Sequence, residues 1–280
     1  MQLHSVDLPT WLVVLSTISL ILGVLSAAFI AIDVRRRPQL MRVMDFVWPI
    51  DGLWGSVGWV AAYLWWGRAG LRGEGGHPPQ GQPMKTMKMS MGDQPTAPMK
   101  SSNMPAMSMK PALGMRGKPH AMPVSVFIGT SHCGAGCSMA DLVVEWLIFF
   151  VPSVAVVGGL SWFFTDPLFA GWVISYFVAL LFGITFQYAA ISPMNPQRGI
   201  WGNIKTAAKA DVLSLSAWQI GMYGAMAIGQ LWIFPTFLGG QVATNTPVFW
   251  FMMQIAMLAG FCTAYPVNWL LIKFGIKERM

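Results

Sequence analysis

Charged side chains are scarce in this sequence. Lys, Arg, Asp and Glu make up only 10% of the 280 residues, whereas 55% are hydrophobic. This balance excludes an ordinary soluble domain and is typical of an all-α polytopic bundle of transmembrane helices. The net charge of +7 comes from basic residues scattered between apolar runs, which indicates membrane topology and contacts with membrane lipid rather than nucleic-acid binding.

Cysteine and histidine are also few. Three Cys residues cannot form a disulfide framework, and the four His residues include no mid-membrane facing pair of the kind that holds haem. The sequence contains no nucleotide-binding motif, so pumping driven by ATP in this chain alone is excluded. We therefore expect neither haem nor nucleotide as a cofactor.

Long apolar runs, by contrast, are frequent. Six of them are long enough to cross a hydrocarbon core of about 30 Å. They cover residues 11–32, 47–66, 142–160, 168–191, 212–234 and 248–272. We divide the chain into helices 1 and 2 (residues 1–66), a Met-rich loop (67–123) and helices 3 to 6 (124–280). Residues 199–211 are predicted to approach the fifth span as an amphipathic helix at the membrane surface.

The loop of residues 67–123 is rich in Gly, Pro, Ser, Lys and Met, which predicts disorder. Ten of the 21 Met residues lie there, and packing does not explain them because this composition cannot form a core. Thioethers are soft ligands that favour Cu(I). The alternative is a biased linker without chemistry. The candidate copper ligands form two clusters, Met84, Met87, Met89 and Met91, and Met104, Met107 and Met109.

A second candidate site lies in residues 131–146, ahead of the third predicted span. As a helix, this stretch has one face on which side chains recur at i+4 steps, namely Cys133, Cys137, Asp141 and Glu145. We predict Cys133, Cys137 and the neighbouring His132 as ligands of a soft metal at the membrane mouth. The alternative is that the small residues only permit close helix packing, while both carboxylates pair with basic residues elsewhere.

Carboxylates inside membrane spans are costly, and they often belong to an ion path or a proton relay. The candidates for such a relay are Asp141, Glu145, Asp51 and Asp211. For Asp51, pairing with an arginine of the cluster at residues 35–37 is an equally good interpretation.

These features favour a membrane protein that binds and transports a soft transition metal, with Cu(I) as the metal, over an enzyme. One alternative is a membrane thiol oxidoreductase, although its usual Cys-x-x-Cys spacing is shorter than the four-residue step from Cys133 to Cys137. Another is a copper sensor or copper chaperone that does not transport. The expected partners are membrane lipid, the metal ion, and either a copper chaperone or another membrane subunit.

Two arguments about the orientation of the chain in the membrane oppose each other. With six spans, both termini and the Met-rich loop share one side with 14 of the 18 Lys and Arg residues, and the positive-inside rule makes that side cytoplasmic. Ligand chemistry favours the opposite orientation, because cytosolic thiolates outcompete thioethers for Cu(I). We expect the cytoplasmic placement.

Three motifs carry a resemblance to a known family. They are Arg37-Pro-Gln-Leu-Met-Arg-Val-Met-Asp-Phe-Val-Trp-Pro49, Thr130-Ser-His-Cys-Gly-Ala-Gly-Cys137 and Lys209-Ala-Asp-Val-Leu-Ser-Leu-Ser-Ala-Trp218. With these motifs the chain resembles a family of bacterial multi-pass membrane proteins described only as a domain of unknown function, DUF4396. The resemblance implies a helical bundle in the bacterial inner membrane and no established activity. The Met-rich loop departs from the family's usual pattern.

Overall fold

The computed structural model describes residues 7–37, 39, 41–69, 121–191 and 199–277. As predicted, the fold is all-α: these residues form helices and no β-strand, apart from one isolated bridge between Leu160 and Phe164. The helices are α1 (Thr10–Arg36), α2 (Met44–Ala62, continued by the π-helical turn Tyr63–Gly67), α3 (Met122–Phe150), α4 (Pro167–Ile191), α5 (Gly199–Ala227), α6 (Phe234–Leu238) and α7 (Pro247–Lys273).

Four helices, α1, α3, α4 and α7, are long and apolar enough to cross a membrane. Two of the sequence boundaries are wrong. The third span begins at Met122 and ends at Phe150, where Pro152 opens a short 3-10 helix, so the Cys motif lies within the helix instead of in front of it. Residues 199–211 are not a separate surface helix, because they continue without a break into α5.

Helix α2 is not the straight second span that the sequence predicts. Its backbone leaves the helical region at Ser56 (φ 48°, ψ −137°), and the second half folds back along the first. The rings of Trp48 and Tyr63 are therefore 5.5 Å apart, whereas a straight helix would separate these positions by roughly 22 Å. We call residues 44–67 the re-entrant hairpin.

The tip of the re-entrant hairpin is held by α1 and α7. Gln254 on α7 donates a hydrogen bond of 2.7 Å to the Leu53 carbonyl and accepts one of 2.7 Å from Ser19 on α1. Gly23 on α1 faces the same carbonyl so closely that a Cβ atom would collide with it. Non-helical backbone at membrane depth is tolerated only where protein satisfies its polar groups, and these contacts satisfy the tip.

The bundle has two chemically different ends. At one end α1 ends, α3 begins and α7 ends: Arg68 pairs with Asp33 at 3.0 Å, and Tyr265 donates a hydrogen bond of 3.2 Å to the Pro123 carbonyl. We call this the basic end, because it holds the described Lys and Arg side chains. At the opposite end, where Gln241 hydrogen-bonds to Asp166 at 2.7 Å, the connecting residues 151–166 and 239–246 contain no Lys or Arg.

Candidate functional site

The two predicted thiols lie deep in the bundle. Cys133 and Cys137 are both 0% exposed, and they are separated by one turn of α3, within hydrogen-bonding reach of each other. They are about 11 and 15 residues from the start of the helix, or roughly 16 and 22 Å. The prediction that they stand at the membrane mouth is therefore wrong, because α3 extends well beyond them toward the basic end.

Carboxylates from two other elements meet the thiols. Asp211 of α5 lies within reach of the Cys133 thiol and packs directly over Gly183 of α4. Asp51, near the tip of the re-entrant hairpin, interacts with Cys133 from the other side, beside Ser131 and the hairpin's Trp54 and Trp59. Neither oxygen of either carboxylate has a hydrogen-bond partner of good geometry among the described residues.

The same face of α3 continues toward the opposite end with the other two predicted relay residues. Asp141 is 2% exposed and lies beside Ser175 of α4. One turn further, half-buried Glu145 accepts a hydrogen bond of 3.3 Å from Thr244. From Gly129 near the basic end to Glu145 the helix rises roughly 24 Å. We call this succession of Asp51, Cys133, Asp211, Cys137, Asp141 and Glu145 the polar line.

His132 does not join the thiols. It is 1% exposed and lies against the Phe186 ring of α4, with the ring centroids 6.2 Å apart. Both of its nitrogens lack a hydrogen-bond partner of good geometry. Within the ranges that the structure describes, no three His, Cys, Asp or Glu side chains are grouped so that they could hold a metal ion. The seven predicted Met ligands, from Met84 to Met109, lie outside those ranges.

The glycines between the two Cys residues serve helix packing. A Cβ atom on Gly134 would enter the Trp218 ring of α5, and one on Gly136 would lie 3.2 Å from the Gly183 nitrogen of α4. The close approach of α4 and α5 to α3 depends on these small residues. Packing and the buried polar groups thus occupy different positions of one motif. The other half of the alternative interpretation is not found among the described residues, where the ion pairs join Arg37 and Arg68 to Asp33 and leave Asp141 and Glu145 without a basic partner.

Further sulfur atoms lie in the hydrophobic core of the bundle. Two Met side chains on α5 and two on α7 are at most 5% exposed, and the Ser138 hydroxyl lies 3.7 Å from the Met257 sulfur. These positions are Met222, Met226, Met253 and Met257. They belong to the hydrophobic core of the bundle together with Trp218, and the contact with Ser138 joins Met257 to the helix that carries the thiols.

Sequence reasoning did not identify one buried charge, which lies just after the last predicted span. Lys277 is 2% exposed, and its ammonium donates hydrogen bonds to the Gly129 carbonyl (3.1 Å) and to Asn268 Oδ1 (2.7 Å). The available signal was Gly275, because a glycine just after a helix often turns the chain back toward it.

The thiol spacing argues against a disulfide. Side chains four apart on a helix have Cβ atoms about 5–6 Å apart, whereas a disulfide needs about 3.5–4.5 Å. Oxidation of Cys133 with Cys137 would therefore require α3 to unwind where it is surrounded by other helices. The third thiol, Cys262, is exposed on α7.

Comparison with known sequences gives one family. The family model described as "Domain of unknown function (DUF4396)" matches residues 124–277, which is more than half of the chain and extends from the first turn of α3 past the end of α7. No curated protein and no solved structure matches this chain.

Proposed function

The chain belongs to the DUF4396 family, and we propose that it is a membrane transporter for a soft metal cation, Cu(I). The observation that carries this proposal is the pair of buried thiols, Cys133 and Cys137, on one face of α3. Two carboxylates from other elements lie toward Cys133: Asp211 is within reach of its thiol, and Asp51 interacts with it from the other side. Thiolate sulfur is a preferred ligand of Cu(I), and thioether sulfur, which Met257 brings to Ser138 next in sequence to Cys137, is another.

Charge balance supports a path for a cation. Four of the six residues of the polar line carry carboxylates. Among the described residues, Lys277 is the only Lys or Arg that is buried. An unpaired charge at this depth costs roughly several kcal/mol. Each of these carboxylates therefore has to be either protonated or paired with another cation. Exchange of the two would couple entry of the metal to release of protons. The Met-rich loop would then capture the metal before it enters the bundle.

The arrangement of the helices supports an orientation. If the re-entrant hairpin returns to its own side while α1, α3, α4, α5 and α7 each cross, there are five crossings instead of six. The start of α1 then lies opposite the end of α7. The described Lys and Arg side chains lie at the basic end, so the positive-inside rule favours a cytoplasmic position for that end and for the Met-rich loop in a bacterial inner membrane. With five crossings, the two termini lie on opposite sides, whereas six spans would put them on the same side.

Transport in reconstituted vesicles tests the proposal. We expect the wild-type protein to move Cu(I), or the redox-inert soft ion Ag(I), into proteoliposomes, and the variant Cys133→Ser/Cys137→Ser to lose at least nine tenths of that flux. Cys262→Ser is the matched control, because this thiol is exposed on α7 and outside the polar line. Equal flux in the double variant and the wild type would refute the proposal.

A further inference from the structure

The chain that follows α7 turns back into the bundle. Gly275 has φ +70°, its amide bonds to the Ile272 carbonyl at 3.1 Å, and the Ile276 amide bonds to the Leu271 carbonyl at 2.9 Å. This is the hydrogen-bond pattern of a Schellman motif, which ends a helix and reverses the chain. We call residues 274–277 the C-terminal hook.

The hook delivers the Lys277 ammonium to the basic end of the polar line. Besides Gly129 and Asn268, its charge acts on two groups, Asp211 and His132. The Asn268 amide is fixed in turn by a hydrogen bond of 2.7 Å to Ser214, less than one turn beyond Asp211 on α5. A buried ammonium is costly without such partners, so this is a built site for a cation.

A second cation cannot use this site while Lys277 occupies it. A metal that moves along the polar line between Cys133 and the basic end has to pass two of the four groups around Lys277, namely the Gly129 carbonyl, which accepts its hydrogen bond, and Asp211, on which its charge acts. Lys277 is joined to α7 by a short segment that contains Gly275. Lys273, on the last turn of α7, is exposed instead. Rotation about the hook would therefore remove the ammonium without moving α7.

We propose that Lys277 is a tethered counter-cation that closes the basic end of the polar line, and that the transported cation replaces it as the hook withdraws. This inference rests on the proposed transport function for the identity of the cation. The closing role itself depends only on the hook and the groups that it contacts. Closure and metal transport can therefore fail separately.

Thiol accessibility tests closure without any metal. In a Cys262→Ser background, the probe is a methanethiosulfonate that carries a quaternary ammonium, and the measurement is its rate of reaction with Cys133 and Cys137 by mass spectrometry. Lys277→Met removes the charge but keeps the length of the side chain, and we expect it to raise the rate at least tenfold. Lys277→Arg and the exposed control Lys273→Met should react like the parent. An unchanged rate in a folded Lys277→Met protein would overturn closure.

Amine labelling tests withdrawal in the wild-type chain, where misfolding of a variant plays no part. An N-hydroxysuccinimide acetate should modify Lys273 readily and Lys277 at least tenfold less in the metal-free protein. With bound Ag(I), labelling of Lys277 should rise to approach that of Lys273. Constant protection of Lys277 in protein that has bound Ag(I) would overturn withdrawal. If the protein binds no Ag(I), the proposed soft-metal function fails, and thiol accessibility still decides closure.

Discussion

The Trp59 indole donates a hydrogen bond of 3.2 Å to the Ser131 hydroxyl, and so joins the re-entrant hairpin to the helix that carries both thiols. Ser131 lies two residues before Cys133, and Asp51 approaches it from the first half of the hairpin. A carboxylate from outside the matched family segment therefore completes the region around the thiols. The hairpin belongs to the site as much as α3 does.

The return of the hairpin to its own side can be tested directly. Arg42 and Arg68 flank the hairpin and are both exposed. We expect Arg42→Cys and Arg68→Cys, each in a chain without other cysteines, to be labelled by an impermeant maleimide from the same side of the membrane. A straight span would place them on opposite sides. Trp162→Cys, at the other end of the bundle and 79% exposed, should react only from the opposite side.

The hydrogen bond from Gln254 to the tip of the re-entrant hairpin is predicted to stabilise the fold. Gln254→Leu leaves the Leu53 carbonyl without its partner, and an unsatisfied buried polar group costs about 1–3 kcal/mol. We expect a lower Tm of the detergent-solubilised protein and faster proteolysis near Ser56. Ile255→Leu, at the exposed neighbouring position, is the control and should leave both unchanged. A Tm unaffected by Gln254→Leu would mean that water satisfies the tip instead.

Because Asp211 packs directly over Gly183, adding one methyl group at position 183 is predicted to change metal binding. A Cβ atom at position 183 collides with the Asp211 carboxylate, so Gly183→Ala should displace this side chain from Cys133 and reduce Ag(I) binding by tenfold or more. The matched control is Gly224→Ala on α5, where an added Cβ meets nothing within 4 Å. That variant should bind normally, since Ala is the better helix former. Equal binding by the two variants would contradict the assigned role of Asp211.

The carboxylates beyond the thiols are predicted to act in transport and not in folding. Asp141→Asn and Glu145→Gln keep the shape of each side chain but cannot exchange a proton. We expect each to reduce flux into proteoliposomes at least tenfold, with unchanged Tm and with metal still bound at the thiols. Asp7→Asn, an exposed carboxylate outside the helices, should have no effect on flux. A flux in Asp141→Asn equal to that of the wild type would contradict a role of this residue in the proton relay.

Much of this architecture could be predicted from the sequence, and the failures have physical causes. The all-α class and the positions of α1, α4 and α7 follow from the lengths of the apolar runs, and i+4 spacing aligns Cys133 with Glu145, because both follow from local periodicity. The reversal at Ser56 could not be predicted, since residues 47–66 form one apolar run apart from Asp51 and Ser56, and the turn is stabilised by Gln254, some 200 positions away in sequence. The burial of Lys277 likewise depends on distant partners, Gly129 above all.

The central claim is that the two thiols of α3 hold a soft metal. The most direct measurement is the metal content of the purified protein after anaerobic equilibration with Cu(I), for the wild type, Cys133→Ser/Cys137→Ser, Cys262→Ser and a deletion of residues 84–109. We expect the double variant to lose about one copper per chain while Cys262→Ser loses none, and the deletion to keep this core copper. Equal copper in the double variant and the wild type, or copper lost only with the Met-rich segment, would contradict it.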